Sequence, residues 1–257
     1  MQINEEKNMK YGLQLYSLRD ITKTDFEGAL RAVAEMGYKM VEPAGFFGYS
    51  AEDVRAMLDC YGLEVCSTHT PYKSVFEDIR ATLDYHKKIG CKNIIIPSAP
   101  YGTREAVTYT VDSINRFLPM IEAEGMSLHF HNHSGEFLPN IDGQIAEEEF
   151  ASRTNVKLQL DTFWVFNAGL DPVATIEKYR DRVSIIHLKD GIPAAGGVKA
   201  QGKSIGLGQA PVEAVRAKAI ELGLDIVVES EGLEPTGLEE VRRCIDFLKT
   251  LDARDGN

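Results

Sequence analysis

Short apolar runs and amphipathic stretches alternate along the whole chain. The runs have the length and β-branched content of buried strands, and apolar residues recur at helical spacing after each of them. The predicted strands are Gly12–Tyr16, Met40–Glu42, Val65–Thr68, Asn93–Ile96, Ser127–His131, Val156–Leu160, Val183–His187 and Ile226–Glu229. The predicted helices are Asp25–Met36, Ala51–Tyr61, Val75–Ile89, Arg104–Ala123, Ala146–Ser152, Pro172–Tyr179, Pro211–Leu222 and Leu238–Leu251. Eight such units predict parallel strands with right-handed crossovers, and therefore an α/β protein with a closed (β/α)8 TIM barrel.

The ends of the units carry turn and cap residues. Asp25 suits the start of the first helix, and Gly37 suits the left-handed position that follows it. We expect one domain over residues 1–257, with poorly ordered tails at 1–9 and 252–257. The longest irregular stretch, Asp190–Gly208, follows the strand that ends at His187. It is predicted to be a loop that covers the substrate, because active-site loops of barrels lie after the strands.

Composition narrows the class of protein. The 257 residues are 44% hydrophobic and 26% charged, which is ordinary for one globular domain. The net charge of −11 argues against nucleic acid or an anionic membrane as a partner. The four cysteines are scattered and predict buried thiols rather than a disulfide framework. No apolar run is long enough to span a bilayer, and the N-terminus has no signal-peptide pattern, so we expect a cytoplasmic protein. We expect its partner to be a small-molecule substrate. The protein could be a homo-oligomer.

Residues that can bind a metal end four of the predicted strands in the C-terminal half. They are His131, Asp161, His187 and Glu229. The C-terminal ends of parallel strands are where barrels build their active sites. Asp161, His187 and Glu229 supply two carboxylates and one imidazole, which suit one divalent ion with positions left for substrate oxygens. A set rich in carboxylates and without thiols favours Mn²⁺, with Co²⁺, Zn²⁺ or Mg²⁺ as alternatives.

The fourth ligand stays open between two residues. His129, His131 and His133 alternate along one strand and should face the same side, and Glu136 follows in the next loop. Either His131 or Glu136 could complete a metal site. Alternatively, the histidines form a hydrogen-bonded cluster that grips substrate hydroxyls.

Other residues are predicted to reach the same end of the barrel. Glu42 ends the second strand and His69 follows the third, and either could contact the substrate, as could His133. Lys189 points the same way as His187 and could stabilise an enolate oxygen. Trp164, the only tryptophan, could pack against the apolar face of a sugar. His86 lies beside Lys87 and Lys88 in a predicted helix and is expected at the surface.

Several segments together resemble the xylose isomerase-like sugar phosphate isomerase/epimerase superfamily of TIM barrels. The segments are Gly12–Asp20, Val41-Glu42, His131-Asn-His133 with Glu136-Phe137, Leu160-Asp161-Thr-Phe-Trp164, His187-Leu-Lys-Asp190, Gly206-Leu-Gly208 and Val227-Val-Glu229. The resemblance covers nearly the whole chain. It looks closer to the branch with a histidine-rich fifth strand and an Asp-x-x-Trp turn, which includes inosose dehydratase-like and keto-sugar-processing members.

The resemblance implies a metal-dependent enzyme. Members typically hold a divalent ion with Glu, Asp, His and Glu, and Asp161, His187 and Glu229 match three of these positions. His131 stands where the first glutamate is expected, unless Glu136 replaces the missing group. The ion would acidify the C–H bond between a carbonyl and a hydroxyl of a sugar, keto-sugar or cyclitol. A base, Glu229 or Glu136, would then remove the proton.

The fate of the resulting enediolate distinguishes the candidate reactions. Reprotonation gives an isomerase or epimerase, the leading hypothesis, and loss of a β-hydroxyl gives a lyase such as a 2-keto-inositol dehydratase. An endonuclease IV-type barrel would need more histidines and a basic face, which the net charge of −11 disfavours. A non-catalytic sugar-binding barrel would bind the ligand without exchanging its protons.

Overall fold

Strands and helices alternate through residues 9–194 and 200–256, the part of the chain that this computed structural model describes. The strands are β1 Tyr11–Gln14, β2 Met40–Glu42, β3 Glu64–Val65, β4 Thr68–His69, β5 Asn93–Ile96, β6 Ser127–His131, β7 Lys157–Asp161, β8 Val183–Pro193, β9 Ala200–Lys203 and β10 Asp225–Glu229. The helices are α1 Phe26–Met36, α2 Ala51–Tyr61, α3 Tyr72–Glu77, α4 Ile79–Ile89, α5 Arg104–Ala123, α6 Ala146–Arg153, α7 Thr162–Asn167, α8 Pro172–Lys178, α9 Val212–Leu222 and α10 Gly237–Asp255. Short 3-10 helices lie at Leu15–Leu18 and Gly135–Phe137.

The strands form a nearly closed parallel barrel, which confirms the predicted TIM-barrel fold. The order around the barrel is β3-β2-β1-β10-β8-β7-β6-β5-β4, and every neighbouring pair in this order is parallel. Each parallel pair needs a crossover, and the helices provide it. The first crossover shows the predicted caps: Asp25 accepts a hydrogen bond from Gly28 N, and Gly37 adopts a φ of 102°. Such a φ strains any residue with a side chain, so glycine is required there.

The third barrel strand is broken. β3 pairs with β2 and β4 pairs with β5, and Cys66 and Ser67 separate the two pieces. The barrel is brought together at this point by two further backbone hydrogen bonds, from His69 N to Pro43 O at 2.9 Å and from Thr70 N to Ile95 O at 2.9 Å. His69, the last residue of β4, therefore lies at the C-terminal end of the barrel, where the other strands also end.

The predicted substrate-covering loop is more regular than expected. β8 continues past His187 to Pro193 and pairs antiparallel with β9, so much of Asp190–Gly208 is strand; residues 195–199 of that stretch lie outside the described part. Asp190 organises the rest. Its Oδ1 accepts hydrogen bonds from Gly191 N and Ala210 N, and its Oδ2 accepts from Gly206 N and Gly208 N. The two glycines of the Gly-Leu-Gly motif thus present backbone amides to a buried carboxylate.

Helix boundaries differ from the prediction in three places. The predicted helix Val75–Ile89 is two helices, α3 and α4, because Asp78 ends the first and caps the second. The helix α7 was not predicted, since its sequence Thr-Phe-Trp-Val-Phe-Asn is rich in residues that favour strands. The last helix continues to Asp255, so residues 252–255 are helical rather than a tail, and Asp252 accepts hydrogen bonds from Tyr11 and Arg216.

The surface prediction for His86 was wrong. His86 is 2% exposed, and its Nε2 lies 2.6 Å from Thr68 Oγ1 and 3.2 Å from Thr70 Oγ1. Ile79 and Leu83 are buried on the same face of α4, seven and three residues before it. His86 therefore faces the barrel, and its lysine neighbours face outward.

None of the helices in 9–194 and 200–256 is long and apolar enough to cross a membrane.

Candidate active site

The side chains that point into the barrel are apolar in the middle of the strands and polar at the C-terminal ends of the strands. Met40, Ile185 and Val227 belong to an apolar cluster together with Cys66 and Ile95. Two residues further along the same strands, the side chains on the same face are polar. They are Glu42 on β2, His187 on β8 and Glu229 on β10, joined by His131 on β6 and by Gln159 and Asp161 on β7. The strands thus deliver a polar layer above a dry floor.

Asp161, His187 and Glu229 converge, as the sequence predicts. His187 Nδ1 lies 3.2 Å from Glu229 Oε2 and 3.9 Å from Asp161 Oδ2. Each residue offers one ligand atom, and these atoms lie within 4.8 Å of one another. Asp161 Oδ1 caps α7 by accepting from Trp164 N at 2.9 Å, whereas the buried Oδ2 has no hydrogen-bond partner. Because this donor set combines an imidazole, two carboxylates and a buried oxygen without a hydrogen bond, it fits a divalent ion.

Glu42 contacts the ring of His187 and has no exposed surface. Its Oε1 accepts from His187 Nε2 at 2.6 Å and from Gln14 Nε2 at 2.6 Å, and its Oε2 accepts from Gln159 Nε2 at 2.6 Å and from Ser67. Burial would raise the pKa of Glu42, but the charges of His69 and His187 lower it to about 2. Such a carboxylate orients the imidazole and leaves Nδ1 facing Asp161 and Glu229.

Gln159 fixes the proton positions of two histidines. Its Oε1 lies 2.9 Å from His69 Nε2 and 3.0 Å from His131 Nδ1, and its Nε2 donates to Glu42. Because the carboxylate can only accept, the amide oxygen must face the histidines, which both donate to it. Burial lowers the pKa of His131 well below its usual value, so His131 is neutral. Its Nε2 therefore carries a lone pair.

Glu136 does not join the donor group. Its Oε2 accepts from His133 N at 3.0 Å, its Oε1 lies 3.9 Å from His133 Nδ1, and its side chain is 1% exposed. Burial would lower the pKa of His133, but the charge and hydrogen bond of Glu136 raise it. Among the described residues, His131 belongs to a second potential donor group with His69 and His187.

Lys189 lies inside the acidic group rather than in solvent. Its Nζ is 3.3 Å from Glu229 Oε2 and 3.6 Å from Asp161 Oδ2, and it also contacts Glu231. The ammonium lies 4.6 Å from the centre of the Trp164 ring, so the tryptophan faces a cation in this arrangement. Burial would raise the pKa of Glu229, but Lys189 and His187 lower it well below its usual value. Glu229 is therefore ionised.

The sequence interpretation missed several polar residues of this layer. Gln14, Ser67, Gln159 and Glu231 each bond to a predicted site residue. Strand alternation could have found Gln159 and Glu231, which lie two residues from Asp161 and Glu229. Asn132 was quoted only as part of a motif, yet its side chain exchanges hydrogen bonds with the backbone of Asp161, which ties the end of β6 to that of β7.

A cavity of about 410 Å³ opens above these residues. His69, His131, His133, Glu229 and Glu231 form its polar side. Tyr16, Ala44, Gly45, Pro71, Pro97 and Ser98 form the rest, and Arg and Lys are absent from these described lining residues. A second cavity of about 590 Å³ is lined by Lys10, Glu64 and Asp225, among others, and by none of the residues of the polar layer. Of these two cavities, the first is the one lined by residues of the polar layer.

Comparison with known proteins gives a family match. A model of the xylose isomerase-like TIM barrel family matches residues 30–251. The inosose dehydratase of Geobacillus kaustophilus (strain HTA426) is 26% identical over 186 residues, which cover 63% of this chain and 60% of that protein. The chain thus spans 60% of the length of this curated relative.

Solved structures match over almost the full length. A sugar phosphate isomerase/epimerase from Parabacteroides distasonis ATCC 8503 has a TM-score of 0.80 and 27% identity, with 93% of this chain and 98% of that chain covered. The IolI protein with a bound zinc atom has a TM-score of 0.76 and 14% identity, with 95% and 99% covered. At that identity the IolI match shows a shared fold.

Proposed function

This chain belongs to the xylose isomerase-like TIM barrel family, and from that premise we propose that it is a divalent-metal-dependent enzyme. Its substrate is a sugar, keto-sugar or cyclitol, and it removes a proton next to a carbonyl group. Isomerisation or epimerisation is the leading reaction. The convergence of Asp161, His187 and Glu229, the last of which lines the cavity, is the observation that carries the proposal.

The same three residues would hold the ion, through Asp161 Oδ2, His187 Nδ1 and Glu229. The ion would polarise the carbonyl and supply positive charge for the enediolate. Mn²⁺ is favoured by the carboxylate content, and the zinc atom of the IolI structure leaves Zn²⁺ as an alternative. His131, with its free Nε2 at the cavity, is the fourth ligand we propose; Glu136 is held away by His133.

Glu229 is the base we propose. Its carboxylate lines the cavity, where a bound substrate would lie within its reach. Lys189 lies beside it and offsets the negative charge that develops on the substrate oxygen. Glu42 acts one step further away: it holds the ring of His187 rather than touching the substrate.

The cavity wall indicates the substrate class. His69 and His133 present ring nitrogens that can bind hydroxyl groups, and Tyr16 and two prolines offer apolar faces. Because Arg and Lys are absent from the described lining residues, we propose an unphosphorylated substrate. Trp164 contacts two residues of the site. Its ring lies against the ammonium of Lys189, and its centroid is 5.8 Å from that of the His133 ring.

Dehydration is the second candidate. A dehydratase needs an acid that protonates the departing hydroxyl, and His133 lines the cavity with a pKa that Glu136 raises. The similarity to inosose dehydratase points the same way. Both reactions begin with the same proton abstraction.

The test combines metal analysis with proton NMR in D₂O against a panel of unphosphorylated keto-sugars and inososes. We expect one equivalent of a divalent ion and deuterium in the substrate. A product that absorbs in the ultraviolet identifies dehydration. Deuterium incorporation without such a product identifies an isomerase or epimerase.

Asp161→Asn and His187→Ala should each lose both the metal and the exchange. Asp225→Asn is the matched control, because Asp225 lies exposed at the opposite end of β10. Retention of a full equivalent of metal by Asp161→Asn would refute the assignment of the ligands. Exchange by the metal-free protein would refute metal dependence.

A further inference from the structure

Lys189 and a divalent ion would require the same oxygens. The ammonium lies 3.6 Å from Asp161 Oδ2 and 3.3 Å from Glu229 Oε2, and the same two oxygens face His187 Nδ1. The side chain is 1% exposed, so water screens its charge little. Its position is fixed by the strand, since Lys189 follows His187 by two residues on β8 and pairs with Glu229 in register.

The ammonium has two partners outside the donor group. It contacts the carboxylate of Glu231, whose side chain is 27% exposed at the cavity, and it lies 4.6 Å from the centre of the Trp164 ring. A carboxylate and an aromatic face can both hold a cation. They offer Lys189 an anchorage that does not depend on Asp161 or Glu229.

We propose that Lys189 is a resident cation that competes with the divalent ion for Asp161 and Glu229, and that Glu231 and Trp164 retain it when the ion takes those oxygens. Lys189 then sets the metal affinity of the site. The inference rests on the metal site proposed above, and it assigns to Lys189 a role that does not involve the substrate.

The first test measures Mn²⁺ affinity directly, from the electron paramagnetic resonance signal of the free ion. Lys189→Met should bind Mn²⁺ at least about tenfold more tightly, because one competing charge is removed from beside the ligands. Lys189→Arg keeps the charge and should stay near the original affinity. Lys203→Met is the matched control, since Lys203 pairs with the exposed Glu234 at 3.0 Å. It should change the affinity little.

A double-mutant cycle separates competition from simple loss of charge. Glu231→Gln removes the second anchor and should weaken Mn²⁺ binding while Lys189 is present. In the Lys189→Met background the Glu231→Gln substitution should have a much smaller effect on Mn²⁺ affinity, because no ammonium remains that Glu231 could hold away from Asp161 and Glu229. Equal effects in both backgrounds would overturn the role of Glu231 as an anchor.

Thermal unfolding without metal gives a second readout. Lys189→Met should melt at a lower temperature than the original protein, since Asp161 and Glu229 lose a neutralising partner, and Mn²⁺ should raise its melting temperature by more. If Lys189→Met is too unstable to titrate, Glu231→Gln in the original background decides: unchanged or tighter Mn²⁺ binding would overturn the proposal.

The outcomes distinguish this inference from the proposed function. Equal Mn²⁺ binding by the original protein and Lys189→Met would overturn the competition and leave the metal-dependent function standing. No binding by either protein would overturn both. Binding by Lys189→Met alone would support the competition and refute metal dependence in the original protein.

Discussion

Replacing Glu42 with glutamine would remove one negative charge from beside His187 and preserve the shape of the side chain. The carboxylate has no exposed surface and accepts hydrogen bonds from His187, Gln14, Gln159 and Ser67. The fall of its pKa from 4.5 to about 2 corresponds to about 3 kcal/mol at 1.36 kcal/mol per unit. We therefore expect Glu42→Gln to lose about 3 kcal/mol of unfolding free energy near neutral pH.

The pH dependence gives the sign of this effect. A carboxylate with a lowered pKa in the folded state stabilises the protein above its unfolded pKa, and this contribution is lost as the pH falls. The window for Glu42 runs from about 4.5 down to about 2. The difference between the two proteins should therefore shrink to about 1 kcal/mol near a pH of about 3.

Urea denaturation of the metal-free proteins at neutral and acidic pH measures both quantities. Glu52→Gln is the matched control, because Glu52 is exposed and pairs with Lys88 at 2.8 Å, and exposed pairs of this kind contribute little to stability. A Glu42→Gln protein as stable as the original at neutral pH would refute the reasoning. So would a loss that stays constant as the pH falls.

Three further predictions concern other parts of the site. Glu136→Gln should reduce turnover, as steady-state kinetics would show, because its loss disturbs both the backbone N–H and the ring of His133; a silent Glu136→Gln would contradict this. Mn²⁺ binding near neutral pH should release about one proton, measured by calorimetry in two buffers, since Glu42 and Glu229 outweigh burial and raise the pKa of His187 to about 10. Asp190→Asn should lower the unfolding free energy by about 2–4 kcal/mol in urea, because its amide would face backbone N–H groups; equal stability would contradict the role of Asp190.

Positions along the barrel strands could be predicted from the sequence because they follow a period of two. Asp161, His187 and Glu229 each end an apolar run, and in a parallel barrel such ends meet. The same periodicity places Lys189 on the face of His187. Local sequence is sufficient for these statements, since the strand fixes both the face and the height of each side chain.

The burial of each side chain and its hydrogen-bond partners could not be predicted from strand periodicity. Glu42 has the correct face, but its burial depends on Gln14 of β1, Gln159 of β7 and Ser67 in the break between β3 and β4. Glu136 follows the strand end closely in sequence, yet a 3-10 helix at Gly135–Phe137 turns its carboxylate back to His133 N. The helix α7 depends on Asp161 as its cap, a contact that strand-like composition conceals.

His131 and Lys189 change the charge of the site in the same direction. The resemblance leads to an expected glutamate at position 131, and the histidine there is neutral because burial lowers its pKa. Two carboxylates, Asp161 and Glu229, remain beside one ammonium, so these three side chains sum to a charge of −1. With a third carboxylate beside the same ammonium, the sum would be −2. We therefore expect this chain to hold its ion more weakly than a Glu-Asp-His-Glu set beside the same lysine, and we expect Lys189→Met to recover part of that difference.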